Sequence, residues 1–266
     1  MSPRRVLALL LVGVLGGVLS GAFGVGGGIV MVPLLIWLTG MDQRRASATS
    51  LVAIVPTSIA GAITYGVAGH VDVLAGAIIA IGGIAGSLIG ARLLRTLPLA
   101  WLRWLFIALL VVVAVRLFIE VPSRDIGLVL SPLTVAGLVV LGVVMGIASG
   151  LFGIGGGVIV VPLLVAVFGV GDLLAKGTSL LAIIPTAATG SVANARAGMV
   201  AVADGVIAGL AATAASFAGV ALALVLSPRL STALFALLIG VTVVQLVIRA
   251  IRFARRPDPA PDEPTP

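Results

Sequence analysis

Two glycine-rich strings are the part of this sequence best suited to binding a ligand. The first runs from Ser20 to Gly28, and the second, from Ser149 to Gly157, differs from it at two positions. Each string precedes an apolar helical segment, and a helix start presents free N–H groups and partial positive charge to an anion. Close packing of helices is the structural alternative. Because the string occurs twice, we predict a ligand-facing role for Gly26, Gly27, Gly28, Gly155, Gly156 and Gly157.

A hydroxyl-bearing motif follows each glycine string. The sequence Thr-Ser-Leu is followed a few residues later by Pro-Thr in both copies. The prolines, Pro56 and Pro185, free a helix carbonyl and kink the axis, and hydroxyls beside a broken helix suit a small oxyanion. Alternatively, the hydroxyls bond to carbonyls of their own helix. The hydroxyls predicted to bind the ligand are those of Thr49, Ser50, Thr57, Thr178, Ser179 and Thr186.

Two further candidates break the symmetry of the repeat. Lys176, the only lysine, aligns with Ser47, and its point charge could attract or hold an anion. The alternative is a lysine that extends to the membrane interface. Asn194 aligns with Tyr65, and it either contacts the ligand or caps a helix end. Both residues belong to the predicted substrate-binding set.

The elements that must position these residues are apolar helices. Of 266 residues, 61% are hydrophobic and only 9% are charged, whereas a soluble domain carries about 25% charge. The mean hydropathy is +1.32. The apolar runs are continuous, which favours membrane-spanning helices over a β-barrel with alternating polarity. A lipid bilayer is therefore the expected environment.

Several functional classes are disfavoured by the same composition. The net charge is +7, but no basic face interleaved with aromatic residues indicates a nucleic-acid partner. The sequence has one histidine and no cysteine, so it predicts no metal site, no cofactor and no catalytic triad. Asp42, Asp72, Asp172 and Asp204 fall at helix starts, where they can cap. We expect a protein that is not an enzyme.

The chain consists of two copies of one unit, offset by 129 residues, with about half the positions identical between residues 20–61 and 149–190. We place the first transmembrane repeat at residues 1–122, the second at 123–252, and a disordered cytoplasmic tail at 253–266. The predicted segments are 5–22, 27–39, 44–67, 72–96, 99–119, 131–151, 156–169, 173–196, 200–226 and 230–251. The predicted fold class is an all-α polytopic membrane protein, each half a glycine-broken helix pair plus three spanning helices.

The glycine-broken pair is either one helix that crosses the membrane once or a hairpin whose ends emerge on one side. With a cytoplasmic N-terminus, a single crossing leaves nine of the 16 basic residues inside, whereas hairpins leave twelve inside. The positive-inside rule favours hairpins. Each half then crosses an odd number of times, so the two halves are predicted to be inverted-topology repeats with both termini in the cytoplasm.

The duplicated Gly-x-Phe-Gly-x-Gly-Gly-Gly, the following Pro-Leu-Leu and the Ala-x-x-Thr-Ser-Leu motif resemble the TauE/SafE family. The resemblance covers about residues 5–252 and implies a bacterial or archaeal exporter of sulfite or an organosulfonate in the inner membrane. A secondary transporter working by alternating access around a midplane site is the leading hypothesis. The alternatives are a passive anion channel and an importer of another small anion. Substrate and oligomeric state stay open at this point.

Overall fold

The part of the chain that the structure describes consists of helices joined by short loops. The structure is a computed structural model that describes residues 1–98 and 131–254, together with 100–101, 104–108, 111–112 and 115. Residues 1–98 and 131–254 form nine helices: α1 (Pro3–Phe23), α2 (Gly28–Thr39), α3 (Gln43–Val67), α4 (Val73–Thr96), α5 (Pro132–Phe152), α6 (Gly157–Ala166), α7 (Asp172–Arg196), α8 (Val202–Val225) and α9 (Pro228–Ala254).

These bounds confirm the predicted all-α polytopic fold. Nine predicted segments match the helices to within three residues at each end. Six helices are long and apolar enough to cross a membrane, namely α1, α3, α4, α5, α7 and α8. Most of the predicted segment 99–119 and the tail beyond residue 254 lie outside the described residues.

Short polar side chains begin several of the helices. Ser2 accepts a hydrogen bond from the backbone of Arg5 at the start of α1. Asp42 and Asp72 cap α3 and α4 in the same way, as predicted. The prediction of a cap is wrong for Asp172 and Asp204, which lie inside the first turns of α7 and α8 and form ion pairs instead.

Small residues let the helices approach one another backbone to backbone. A methyl group added at Gly13 would collide with Ala208, and one added at Gly17 would collide with Ala212. Because the second contact lies four residues further along both helices than the first, α1 and α8 run parallel. Contacts of the same kind make α8 parallel to α3, and make α4, α5 and α7 parallel to one another. Such glycine-lined contacts are typical of helices packed in membranes.

The two central helices, α3 and α7, run antiparallel. Gly61, late in α3, lies against Leu180 early in α7, while Gly190, late in α7, lies against Leu51 early in α3. The helices therefore form two opposed sets, with α1, α3 and α8 in one direction and α4, α5 and α7 in the other. The first helix of each repeat, α1 or α5, packs on the fourth helix of the other repeat, α8 or α4, so the repeats interlock.

The helix after each glycine string turns back along the helix before it. A methyl group added at Gly16 would lie 2.5 Å from the terminal methyl of Met31. Fifteen residues of continuous helix would separate these positions by about 22 Å. In the second repeat, Gly156 lies against Met145 in the same manner. These contacts match the hairpin interpretation and not a single broken crossing.

The helix directions bring arginines together at one end of the molecule, which we call the arginine-rich end. It contains the starts of α1, α3 and α8 and the ends of α4 and α7. Arg44 donates a hydrogen bond to the carbonyl of Leu97, and Arg5 pairs with Asp204 across this end. The arginines placed here are Arg4, Arg5, Arg44, Arg45, Arg92, Arg95 and Arg196. At the opposite end, the described basic side chains are Lys176 and Arg229.

Candidate functional site

The two glycine strings cross each other in the interior of the molecule. A methyl group added at Gly28 would collide with Gly153 and Ile154, and one at Gly157 would collide with Gly24 and Val25. Both loops are buried. Gly27 and Gly156 begin α2 and α6 with φ of 79° and 84°, a left-handed backbone that other residues adopt at a cost.

Two isoleucines flank the crossing. A methyl group added at Gly26 would lie 3.3 Å from the side chain of Ile54, 3.5 Å from Ile183 and 3.6 Å from the Cα of Gly155. A methyl group at Gly155 would lie 3.3 Å from Ile54 and 3.4 Å from Ile183. The two repeats thus contribute equivalent atoms to one centre, with glycine providing the space between the isoleucines.

Each loop is held by a serine from the other repeat. The Oγ of Ser50 donates a hydrogen bond of 2.6 Å to the carbonyl of Gly153, and the Oγ of Ser179 donates one of 2.5 Å to the carbonyl of Gly24. A loop carbonyl that would otherwise be buried without a donor is therefore satisfied. Both predicted serines lie at the crossing, where their hydroxyls bond to the protein backbone.

The backbone amide groups of the loops, in contrast, have no acceptor in the described structure. The backbone N–H groups of residues 25–29 and 154–158 donate to no acceptor within the described part of the chain, although these residues are buried. The first N–H groups of a helix carry its partial positive charge. Two such helix starts, those of α2 and α6, face one crossing and favour a negative charge there.

The predicted threonines contact the backbone. Thr49 accepts a hydrogen bond of 3.0 Å from the N–H of Ala201, and Thr178 accepts one of 2.9 Å from the N–H of Asp72. Each therefore holds a turn of the other repeat. Thr57 and Thr186 donate to the carbonyls of Ala53 and Ala182 on their own helices. Their hydroxyls thus satisfy the backbone of their own helix, which was the alternative to ligand binding.

Comparison with known proteins places this architecture in a family. The sequence profile described as Sulfite exporter TauE/SafE matches residues 1–117 and 138–266. The chain belongs to the TauE/SafE family. Bacillus subtilis YunE, a probable membrane transporter protein, is 29% identical over 209 residues, covering 70% of this chain and 77% of YunE. B. subtilis YdhB, similarly described, is 32% identical over 193 residues with the same coverages.

A third relative, a probable membrane transporter protein of Haemophilus influenzae, is 34% identical over 173 residues, covering 60% of this chain and 63% of the relative. No solved structure matches. Family membership together with six long apolar helices identifies the chain as a multi-pass membrane transporter. The resemblance seen in the sequence motifs is thereby confirmed for the family.

Lys176 of this TauE/SafE protein is buried in a polar cluster on the side of the crossing away from the arginine-rich end. Its Nζ donates to Asp172 at 2.9 Å and to the Oγ of Ser231 at 2.8 Å. The side chain is 3% exposed, so it does not extend to the membrane interface. Its backbone adjoins Gly24 of the first glycine string. The structure thus places Lys176 beside the crossing but pairs its charge.

Asn194 is fully buried, and neither its Nδ2 nor its Oδ1 has a hydrogen-bond partner within the described residues. Its counterpart Tyr65, also fully buried, donates a hydrogen bond of 2.8 Å to the carbonyl of Gly21. Asn194 lies in the last turn of α7, whose C-cap is Ala197, and its side chain makes no capping hydrogen bond within the described residues. Of the predicted binding residues, it is the one whose side chain lacks a partner in the described structure.

Further buried polar groups were not predicted as ligands. The side chains of Gln43, Ser47, Ser20 and Ser149 each hold a buried atom that has no partner among the described residues. Ser20 and Ser149 are the first residues of the two glycine strings. Their equivalent places in the repeat are the sequence signal that could have marked them as candidate ligands. The described residues contain no group of three or more His, Asp or Glu side chains suited to a metal ion.

Proposed function

We propose that the protein is a secondary transporter that exports a small sulfur-containing oxyanion, such as sulfite or a sulfonate, from the cytoplasm. The observation that carries the proposal is the crossing of two glycine loops whose buried N–H groups have no acceptor among the described residues. Buried N–H groups are nearly always paired, so an anion at the crossing is the natural acceptor. The family description, which names sulfite export, supports the choice of substrate.

The arrangement of helices supports alternating access between inverted repeats. α1 and its counterpart α5 run in opposite directions, and the crossing lies between antiparallel α3 and α7. In this proposal the arginine-rich end faces the cytoplasm, in accord with the positive-inside rule. Each repeat would then open the crossing to one side of an inner membrane while the other closes it.

The two hydrogen bonds that join each serine to the glycine loop of the other repeat offer a physical basis for coupling between the repeats. Because Ser50 holds the loop of the second repeat and Ser179 holds the loop of the first, movement of α3 or α7 displaces the opposite loop. Binding at the crossing therefore acts on both repeats at once. This supports a carrier, in which the site and the moving elements are the same.

The proposal is tested by adding a methyl group at the crossing in Gly26→Ala and Gly155→Ala. Each methyl would enter the gap between Ile54 and Ile183. The left-handed backbone costs about 1–2 kcal/mol for alanine, so folded protein remains available for assay. We expect at least a tenfold loss of sulfite efflux from proteoliposomes in both variants.

Gly40→Ala and Gly169→Ala are the matched controls. Their φ values, 72° and 67°, impose the same backbone strain, yet within the described structure no atom lies within 4 Å of the added methyl. Efflux should match that of the unmodified protein once corrected for the amount folded. Equal efflux in the crossing variants and the controls would refute a site at the crossing, and efflux that rises linearly without saturation would indicate a passive channel.

A further inference from the structure

A cluster of unpartnered polar side chains lies between α3 and α7 toward the arginine-rich end. Gln43, Ser47 and Asn194 are 4%, 0% and 0% exposed. The Nε2 of Gln43, the Oγ of Ser47 and both polar atoms of the Asn194 amide have no partner within the residues described. Buried polar side chains are normally bonded, and leaving each unbonded costs about 1–3 kcal/mol.

The packing of α3 on α7 brings these residues together. Leu51 of α3 lies against Gly190 of α7. Residues four apart share a helix face. Ser47 therefore lies on the face of α3 that carries Leu51, and Asn194 lies on the face of α7 that carries Gly190. Both are one helical turn closer to the arginine-rich end. Gln43 lies one turn beyond Ser47 on that face. We call these three residues the amide cluster.

At the equivalent positions of the other repeat, the buried polar side chains form hydrogen bonds within the protein. Asp172, Lys176 and Tyr65 replace Gln43, Ser47 and Asn194, and every one of them is bonded: Asp172 to Lys176, Lys176 also to Ser231, and Tyr65 to the carbonyl of Gly21. The fold therefore does not require unpartnered groups at these positions. A ligand that supplies the missing partners explains why this chain retains them.

The amide cluster also adjoins the crossing. A methyl group added at Gly153 would lie 2.5 Å from the Cα of Ser47 and 2.5 Å from the Oγ of Ser50, so the second glycine loop begins where the cluster ends. Arg44, next to Gln43, has a buried Nε without a partner in the described structure, and its charge favours anions at this end. Polar side chains thus occur along α3 from Arg44 at the arginine-rich end to Ser50 at the crossing.

We propose that Gln43, Ser47 and Asn194 form an entry subsite for a singly charged oxyanion that carries one O–H group, such as hydrogen sulfite. The hydrogen-bond donors are the two amides and the hydroxyl, and the Oδ1 of Asn194 accepts a hydrogen bond from the ligand's O–H group. A buried site made of neutral groups disfavours a doubly charged ion because burial of unpaired charge is costly. The inference rests on the proposed export of such anions.

Asn194→Leu tests the subsite because it separates binding from stability. Replacing an unbonded buried amide by an apolar side chain of similar shape should leave the thermal midpoint unchanged or higher. We expect hydrogen sulfite, titrated at mildly acidic pH into the purified full chain, to bind at least tenfold more weakly to the variant. The unmodified protein should bind sulfate at least tenfold more weakly than hydrogen sulfite.

Ser47→Ala, which removes a single oxygen, decides the question if Asn194→Leu does not fold, and it should weaken binding about fivefold or more. Ser58→Ala is the control: Ser58 is also buried without a described partner, but its counterpart in the other repeat is Ala187. Unchanged binding in both Asn194→Leu and Ser47→Ala would overturn the subsite alone. Failure of the unmodified protein to bind hydrogen sulfite, sulfate or methanesulfonate would overturn the proposed function and the subsite with it.

Discussion

At the scale of single residues, the two repeats use equivalent positions for opposite purposes. The second repeat places an ion pair, Lys176 and Asp172, where the first places the neutral Ser47 and Gln43. The charged side chains are hydrogen-bonded, whereas the neutral ones hold buried atoms that have no partner in the part of the chain that the structure describes. Under the proposed entry subsite, the second repeat would hold an ion pair where the first repeat binds the anion.

The ion pair has a measurable consequence for stability. Asp172→Asn removes the carboxylate that accepts from Lys176, and loss of one partner of a buried pair costs about 3–5 kcal/mol. We expect a lower thermal midpoint in detergent for this variant. The double variant Asp172→Gln with Lys176→Ser, which installs the residues of the first repeat, should recover most of the loss. A midpoint unchanged in Asp172→Asn would show that the pair contributes no net stability.

At the scale of helices, glycine determines how closely the elements pack. Gly13, Gly17 and Gly21 of α1 meet the backbone of α8, and Gly142, Gly146 and Gly150 of α5 meet that of α4. Without side chains to separate them, the paired helices are positioned by backbone contact. This close packing accounts for many of the 35 glycines of the chain.

The packing predicts opposite outcomes for two glycine-to-alanine changes. Gly17→Ala would drive a methyl into Ala212 and should greatly reduce the yield of folded protein. Gly240→Ala, in α9, meets no atom within 4 Å among the described residues, and alanine favours a helix by about 1 kcal/mol. Its thermal midpoint should be unchanged or slightly higher. Fluorescence-detected gel filtration and thermal melts measure both, and a well-folded Gly17→Ala protein would contradict close contact of α1 with α8.

The sequence predicted the helices well because apolar runs and glycine strings are local signals. It could not predict the partners of the hydroxyls, because the bond from Ser50 to Gly153 joins residues 103 positions apart. For the same reason the pairing of Asp204 with Arg5 was missed and a cap was predicted instead. Aligning the repeats did single out Lys176 and Asn194, since a difference between copies is visible without a structure.

At the scale of the whole molecule, the directions of the helices gather most of the described arginines at one end, and this asymmetry bears on how the protein is oriented in the membrane. Two opposed sets of parallel helices give the molecule two different ends, one with seven of the described arginines and the other with Lys176 and Arg229. Because basic residues are retained in the cytoplasm, a molecule with this asymmetry has one favoured orientation. Under the proposed inverted topology, the repeats would present equivalent loops to opposite sides of the membrane.

Four exposed glycines make this orientation testable, since the chain has no cysteine of its own. Gly40 and Gly169 are repeat equivalents, as are Gly69 and Gly198, and none has an atom within 4 Å of an added Cβ in the described structure. In intact cells, a membrane-impermeant thiol reagent should label single cysteines at positions 69 and 169. Those at 40 and 198, at the arginine-rich end, should react only after permeabilisation. Labelling of 40 and 169 from the same side would show parallel repeats, because equivalent loops of inverted repeats cannot share a side.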